Sequence, residues 1–196
     1  NVWKTVQSIG SYFQENLGGN DTIGLLSPNH LNGIILDLAC LAYHIRIVPI
    51  PMNLSPDHLN YVLDHAEITH LFLGSDRARE SLKDAKRSPS EFYAVQIDNK
   101  EEWNGFLVKC RQSIIINPPT KNLQSLATVM YTSGTTDNPK GIIFNQENII
   151  TKRFARALAL PEIGSNDSFL CYLPLYHTFG RWFEMMGSIF WGATYT

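Results

Sequence analysis

Cysteine is scarce in this chain: Cys40, Cys110 and Cys171 are odd in number and far apart. No two have metal-ligand spacing, which argues against a disulfide or zinc framework and points to core thiols in a reducing compartment. Long apolar runs are also missing, and none approaches the roughly 20 residues of a membrane-spanning helix. The N-terminus has no basic stretch followed by an apolar one. Because the first residue is Asn1, in keeping with an excised piece, that absence describes this stretch alone. Excess positive charge is lacking too. Sixteen Lys and Arg against eighteen Asp and Glu leave a net charge of -2, and only Lys83, Lys86 and Arg87 cluster, as a solvated helix face. That balance argues against an electrostatically driven nucleic-acid binder. There is no internal repeat and no low-complexity segment.

What is present fits one α/β domain, or a fragment of a larger one, at 196 residues. Trp3, Val6, Ile9, Phe13 and Leu17 recur at helical spacing before Gly18-Gly19. Strand candidates follow at 22–26, 45–50, 68–73, 92–97 and 126–131, the second ended by Pro49 and Pro51. Between them, Ser27-Pro28 and Ser55-Pro56-Asp57 read as helix starts with proline in the first turn. Leu31, Ile34, Ile35, Leu38 and Leu41 form the buried stripe expected after the first, and Leu59, Val62, Leu63 and Ala66 after the second. Residues 76–86 read as an outer polar helix, whereas 98–120 give no clear pattern beyond a bridging segment. Asn145 is placed to cap a helix with Ile150, Phe154, Ala157 and Leu158 inward. A strand at 169–173 and an apolar helix carrying Met185, Met186, Ile189 and Phe190 complete the chain. Alternating strands and helices predict a mainly parallel sheet with helices on both faces, and ligands at the carboxyl ends of its strands.

One stretch, Tyr131 to Gly141, organises the rest: YTSGTTDNPKG sits between the apolar runs 126–131 and 142–144. A strand, a loop of small and hydroxylated residues with one lysine, and a second strand form a candidate polyphosphate cradle. Glycines admit close backbone approach, tight-loop amides face an anion, and Lys140 adds a mobile charge. A surface turn is the ordinary reading of such composition. A Walker A loop, G-x-x-x-x-G-K-S/T, fails on both flanks of the lysine, which are Pro139 and Gly141. A Rossmann G-x-G-x-x-G is absent.

The string resembles the signature loop of the adenylate-forming superfamily (acyl-CoA synthetases, luciferases and peptide-synthetase adenylation domains), usually Y/F-T-S-G-T-T-G-x-P-K-G. Ten of its eleven positions are compatible; Asp137 stands where glycine is usual. Aspartate sometimes supplies a positive φ, but it adds negative charge beside a triphosphate. Leu41 through Pro56, LAYHIRIVPIPMNLSP, is similar to an early family segment, with His44 at a common glycine. Asn145 to Asn148 stands where T-H-x-N is frequent, so the histidine is replaced by Gln146. Leu173-Pro174-Leu175-Tyr176-His177 matches LPLxH, and the continuation is most similar to long-chain fatty acyl-CoA synthetases.

The resemblance implies an α/β fold, part of the large N-terminal domain of an adenylate-forming enzyme, with residues 1–196 a partial AMP-binding domain. It implies an ATP-dependent acyl-activating enzyme that makes acyl-AMP from a carboxylic acid, a fatty acid by the nearest branch, and passes the acyl group to CoA. Thr132, Ser133, Gly134, Thr135, Thr136, Lys140 and Gly141 would contact the nucleotide, with Thr132 also touching Mg2+ and Gly134 and Gly141 acting as hinges. Lys140 and His177 would be catalytic, His177 lying near the carboxylate; the ordinary reading of such a histidine is a core residue satisfied by a carbonyl. Trp182, Phe183, Trp191, Met185 and Met186 are candidates for an acyl tunnel, though plain core is the stronger reading. Arg181 and Glu184, at i, i+3, read as a local ion pair. No nucleic acid or membrane span is implied, and the location expected is cytoplasmic, at most peripheral to a membrane. The family's later adenine, ribose and C-terminal lysine elements would follow Thr196, so this piece alone is expected not to form acyl-adenylate. A non-catalytic nucleotide-binding or interaction module on the same fold is the competing reading.

Overall fold

The computed structural model describes residues 1–120, 122–132 and 138–196, and only the backbone of 152–154, 156 and 157. Five short strands, β1 (Ile23–Leu26), β2 (Ile47–Ile50), β3 (His70–Leu73), β4 (Tyr93–Gln96) and β5 (Leu126–Thr132), form the parallel part of one sheet. A sixth, β6 (Lys140–Asn145), returns antiparallel to β5, giving the order β4-β3-β1-β2-β5-β6. Helices α1 (Val2–Asn16), α2 (Leu31–Ala42) and α5 (Lys100–Cys110) contribute to one core cluster. Helices α3 (Pro56–His65) and α4 (Asp76–Asp84) contribute to the other.

Alternation along the strands decides which residue serves which core. Ile23 and Leu25 of β1 belong to the first cluster and Leu26 to the second, while Phe72 of β3 points opposite to Leu71 and Leu73. Each such buried aliphatic side chain contributes about 1.5–3 kcal/mol. Helices that carry the chain toward β2 and β5 lie on the first face, and those that carry it toward β3 and β4 lie on the other. This is what right-handed crossovers demand.

Local signals account for most boundaries. Ser55 Oγ accepts from the His58 N–H with Pro56 at the first helical position, as its sequence predicts. Asn145 and Asn148 exchange side-chain-to-backbone bonds that open α6 (Gln146–Ala159). Other expectations are corrected. Ser27 does not cap α2; its hydroxyl donates to Pro28 O, and His30 Nδ1 accepts from Asn32 N instead. Of the expected stripe, Ile35 and Leu41 are buried and Leu31 is exposed at the first turn, with Leu36, Ala39 and Cys40 also buried. Pro49 lies within β2 rather than ending it, in register with Leu25.

The unreadable stretch contains α5, capped by Asn99 with Glu101 and Glu102 in its first turn, and its Trp103 and Phe106 join an aromatic cluster with Phe13 and Phe72. On α6 it is Ile149 that is buried, while Leu158 is exposed; the side chains of Phe154 and Ala157 lie outside the described set. The expected strand at 169–173 shrinks to β7 (Ser168–Phe169), which pairs with β8 (Thr194–Tyr195) in a small second sheet. A π-helical segment, Phe179–Met185, precedes α7 (Met186–Trp191). Cys40 and Cys110 are buried free thiols, and burial pushes Cys110 up to about 12. No described helix is long and apolar enough to cross a membrane.

Candidate active site

The phosphate-loop motif is the connection of the β5–β6 hairpin. Thr132 stands in register with Lys140 and Tyr131 with Gly141, so the motif's two ends meet where β5 finishes, at the carboxyl edge of the parallel strands. Thr132, Lys140 and Gly141 are exposed. Ser133, Gly134, Thr135, Thr136 and Asp137 lie outside the described residues.

Tyr131 is the buried foot of this loop. Its ring lies against the open face of Gly141, where an added Cβ would come within 3.3 Å of Cζ, and its hydroxyl meets His65 Nδ1 at 2.7 Å. His65, at the last turn of α3, also stacks on Tyr61 with ring centroids 5.0 Å apart. Burial, then the neighbouring Tyr61, pushes the Tyr131 phenol up to about 12, so it stays protonated as a hydrogen-bonding group. The contact of His65 with Tyr131 spans 66 residues, beyond the reach of local sequence patterns.

The second motif, LPLYH, is an irregular segment held by side chains rather than by a strand ladder. Asn29, three residues beyond β1, donates from Nδ2 to Leu173 O (2.8 Å) and Cys171 Sγ (3.3 Å) and accepts from Leu175 N (3.0 Å). This places the segment at the same carboxyl edge as the loop. Gly180 lets the π-helical turn press on it: an added Cβ would lie 2.6 Å from Pro174 O and 2.8 Å from Leu173 O. His177 N donates to Pro174 O, and His177 O accepts from Arg181 N. The His177 side chain is exposed, so it is not a core histidine satisfied by a carbonyl. Buried Glu184, its carboxyl raised chiefly by loss of water, sits with its Oε2 unpaired near this segment.

Arg181 corrects the sequence reading most sharply. It is fully buried, and its partner is Asp37 of α2, 144 residues away, not Glu184. Nε and Nη2 grip both carboxylate oxygens, and Nη1 donates to Thr128 Oγ1 of β5 at 2.8 Å. Thr128 Oγ1 in turn donates to Ile47 O of β2. The guanidinium lies over the Trp182 ring, 4.4 Å from its centroid. Of the tunnel candidates, Trp182 and Met185 are plain core, while Phe183 and Trp191 form an aromatic group with Phe169 and Phe179.

An open groove of about 410 Å³ follows this edge, lined by Pro28, Asn29, Met52, Tyr172, Pro174 and Tyr176. A second hollow of about 340 Å³, beside Gln14, Asp21, His44 and Arg46, lies at the opposite, amino edge and is remote from both motifs. His44 sits there with φ 57°, a left-handed backbone that explains why glycine suits this position.

A mainly parallel sheet with helices on both faces is the architecture of the N-terminal domain of adenylate-forming enzymes, and the solved structures agree. The chain superimposes on VinN with TM-score 0.83 at 18% identity, covering 99% of this chain and 48% of that one. On the o-succinylbenzoate CoA synthetase MenE of Bacillus subtilis, in complex with the acyl-adenylate OSB-AMP, the TM-score is 0.77 at 21% identity, covering 99% and 37%. At such identities these likenesses establish the fold. The AMP-binding enzyme family matches residues 1–196, and the chain belongs to it.

Among curated relatives, long chain acyl-CoA synthetase 3 of Arabidopsis thaliana is 29% identical over 212 residues, covering 93% of this chain and 32% of the relative. Long-chain-fatty-acid--CoA ligase 1 of Cavia porcellus is 27% identical over 180 residues, covering 80% and 25%. The chain thus spans about a third or less of the length of these relatives.

Proposed function

We propose that this chain is part of an ATP-dependent enzyme that joins a carboxylic acid to AMP and passes the acyl group to CoA. The chemical class of substrate proposed is a fatty acid, by the similarity to long-chain acyl-CoA synthetases. The observation that carries the reading is the hairpin register: Thr132 faces Lys140 at an exposed mouth, on the sheet edge where Asn29 also holds the His177 segment. A hydroxyl and an ammonium group placed together at that mouth suit an anionic phosphate chain, and positioning with charge neutralisation is what phosphoryl chemistry requires of a protein.

Lys140 is assigned to the phosphates, together with Ser133, Gly134, Thr135, Thr136 and Gly141 of the motif. His177 is assigned to the carboxylate side. Among the described residues no cluster of His, Cys, Asp or Glu is placed to hold a metal. Magnesium fits nonetheless, because it keeps water and phosphate oxygens as most of its ligands and needs only one or two protein groups; Thr132 is the one assigned here.

The test is carboxylate-dependent exchange of pyrophosphate into ATP by the full-length protein, with fatty acids of increasing length. Lys140→Ala is expected to lower exchange about a hundredfold with no change in thermal midpoint, since the side chain is exposed. Exchange that ignores Lys140, or needs no carboxylate, refutes the proposal. Nucleotide binding with no exchange at all supports the non-catalytic module instead. Residues 1–196 alone are expected to form no acyl-adenylate.

A further inference from the structure

A charged pair buried beside the sheet raises the question of what it is for. Arg181, Asp37 and Thr128 are all shielded from water. Taking two charges out of water is expensive, and apolar residues of similar volume often serve stability equally well. What an apolar pair cannot supply is direction. A guanidinium is a planar fork, and a bidentate grip on a carboxylate fixes its angle as well as its distance.

Here the fork reaches two elements directly and a third through Thr128. Asp37 belongs to α2, Thr128 to β5, and the Thr128 hydroxyl continues to Ile47 of β2. Arg181 itself is one turn past His177, whose carbonyl accepts its N–H. Four residues beyond Thr128, β5 ends at Thr132, the mouth of the phosphate loop. Ile47 and Thr128 stand in register where β2 pairs with β5, and the Thr128 hydroxyl that Arg181 holds bonds Ile47 O at that pair. The segment that carries Arg181 is π-helical, a rare geometry that is frequent at functional sites.

We propose that Arg181 is a positioning residue that fixes the His177 segment relative to the strand delivering the phosphate loop, so that the carboxylate and nucleotide sides of the site keep one geometry. This rests on the acyl-activating reading above. Arg181 touches no reacting atom; it acts through His177 and through β5.

The experiment pairs Arg181→Met with Asp37→Leu in the full-length protein, which removes the directed bonds and leaves no lone buried charge. The thermal midpoint should stay within a few degrees of the unsubstituted protein, since an apolar pair can replace a buried ion pair without loss of stability. The kcat of carboxylate-dependent pyrophosphate exchange should fall about tenfold or more, with KM for ATP unchanged. Amide hydrogen exchange at His177 and Arg181 should quicken about tenfold, as local order loosens without global unfolding. A folded double variant with the original kcat and the original amide protection overturns the proposal. Should the double variant fail to fold, Arg181→Lys carries the same readouts, because lysine keeps the charge and loses the fork. If the unsubstituted protein shows no exchange reaction, the acyl-activating reading falls, while the amide protection still decides whether Arg181 positions this segment.

Discussion

The two halves of the candidate site are held by opposite means. The loop-bearing hairpin is local: adjoining stretches of the chain pair in an antiparallel ladder, and the polar ends Thr132 and Lys140 stay in water. The His177 segment has no ladder. It is pinned by Asn29, whose partners lie more than 140 residues away, by Arg181, which reaches Asp37 across 144 residues and Thr128 across 53, and by backbone pressed against Gly180. A local scaffold spreads its stability over many small bonds, so no single one decides it. A segment tied at a few distant points depends on each of them.

The largest expected effect breaks one of those points. Arg181→Met alone strands the buried Asp37 carboxylate and should lower stability by about 3–5 kcal/mol in chemical denaturation, against less than about 0.5 kcal/mol for exposed Lys140→Ala. Equal losses would erase the contrast between the halves.

Glycine substitutions sharpen it next. Gly180→Ala drives a methyl into backbone oxygens and should cost about 1–3 kcal/mol. Gly105→Ala in α5, where an added Cβ meets nothing within 4 Å, should instead stabilise by about 0.5–1 kcal/mol, readable as opposite shifts of the thermal midpoint.

A smaller loss is expected at the foot of the hairpin. Tyr131→Phe removes the bond to His65, which is exposed enough to find water, and should cost about 0.5–1.5 kcal/mol by denaturation.

The smallest effect is acid, which acts at the amino edge. Burial lowers the pKa of His70 despite Asp21 nearby, so the unfolded chain binds the proton first. Stability should begin to fall below the ordinary histidine value of 6.5 and stop falling once His70 is protonated in the fold. The Gly18 N–H, then Thr69, hold the Asp21 carboxyl below 3.8, so a second loss begins beneath that pH. Both steps should appear unchanged in Tyr131→Phe and Arg181→Lys, and His70→Gln should delete the first; a step that follows Arg181 instead would join the amino edge to the site.

The same contrast explains what the residues reveal on their own. Strand runs, the Ser55-Pro56 helix start, the Asn145 cap and the loop motif are contiguous signals, and each is read from neighbouring residues. The helix at Lys100–Cys110 is legible too: Trp103, Phe106, Leu107 and Cys110 fall at i, i+3, i+4 and i+7 after Asn99, and only the exposed Val108 blurs the stripe. Ser27-Pro28 misleads because the hydroxyl finds the adjacent carbonyl, leaving His30 to cap. The partner of Arg181 is invisible to local reading: Glu184 stands at helical spacing, and nothing near Arg181 in sequence names Asp37. His65 and Tyr131 meet across 66 residues for the same reason.

The span between Asp37 and Arg181 also bears on the order of assembly. Closing a 144-residue loop adds only about 0.6 kcal/mol over closing one half as long, yet nothing rewards that closure until β1, β2 and β5 lie side by side. A contact of such long span is expected to form after the sheet, so Arg181→Lys should quicken unfolding more than it slows folding, readable from the two arms of a denaturant-jump experiment.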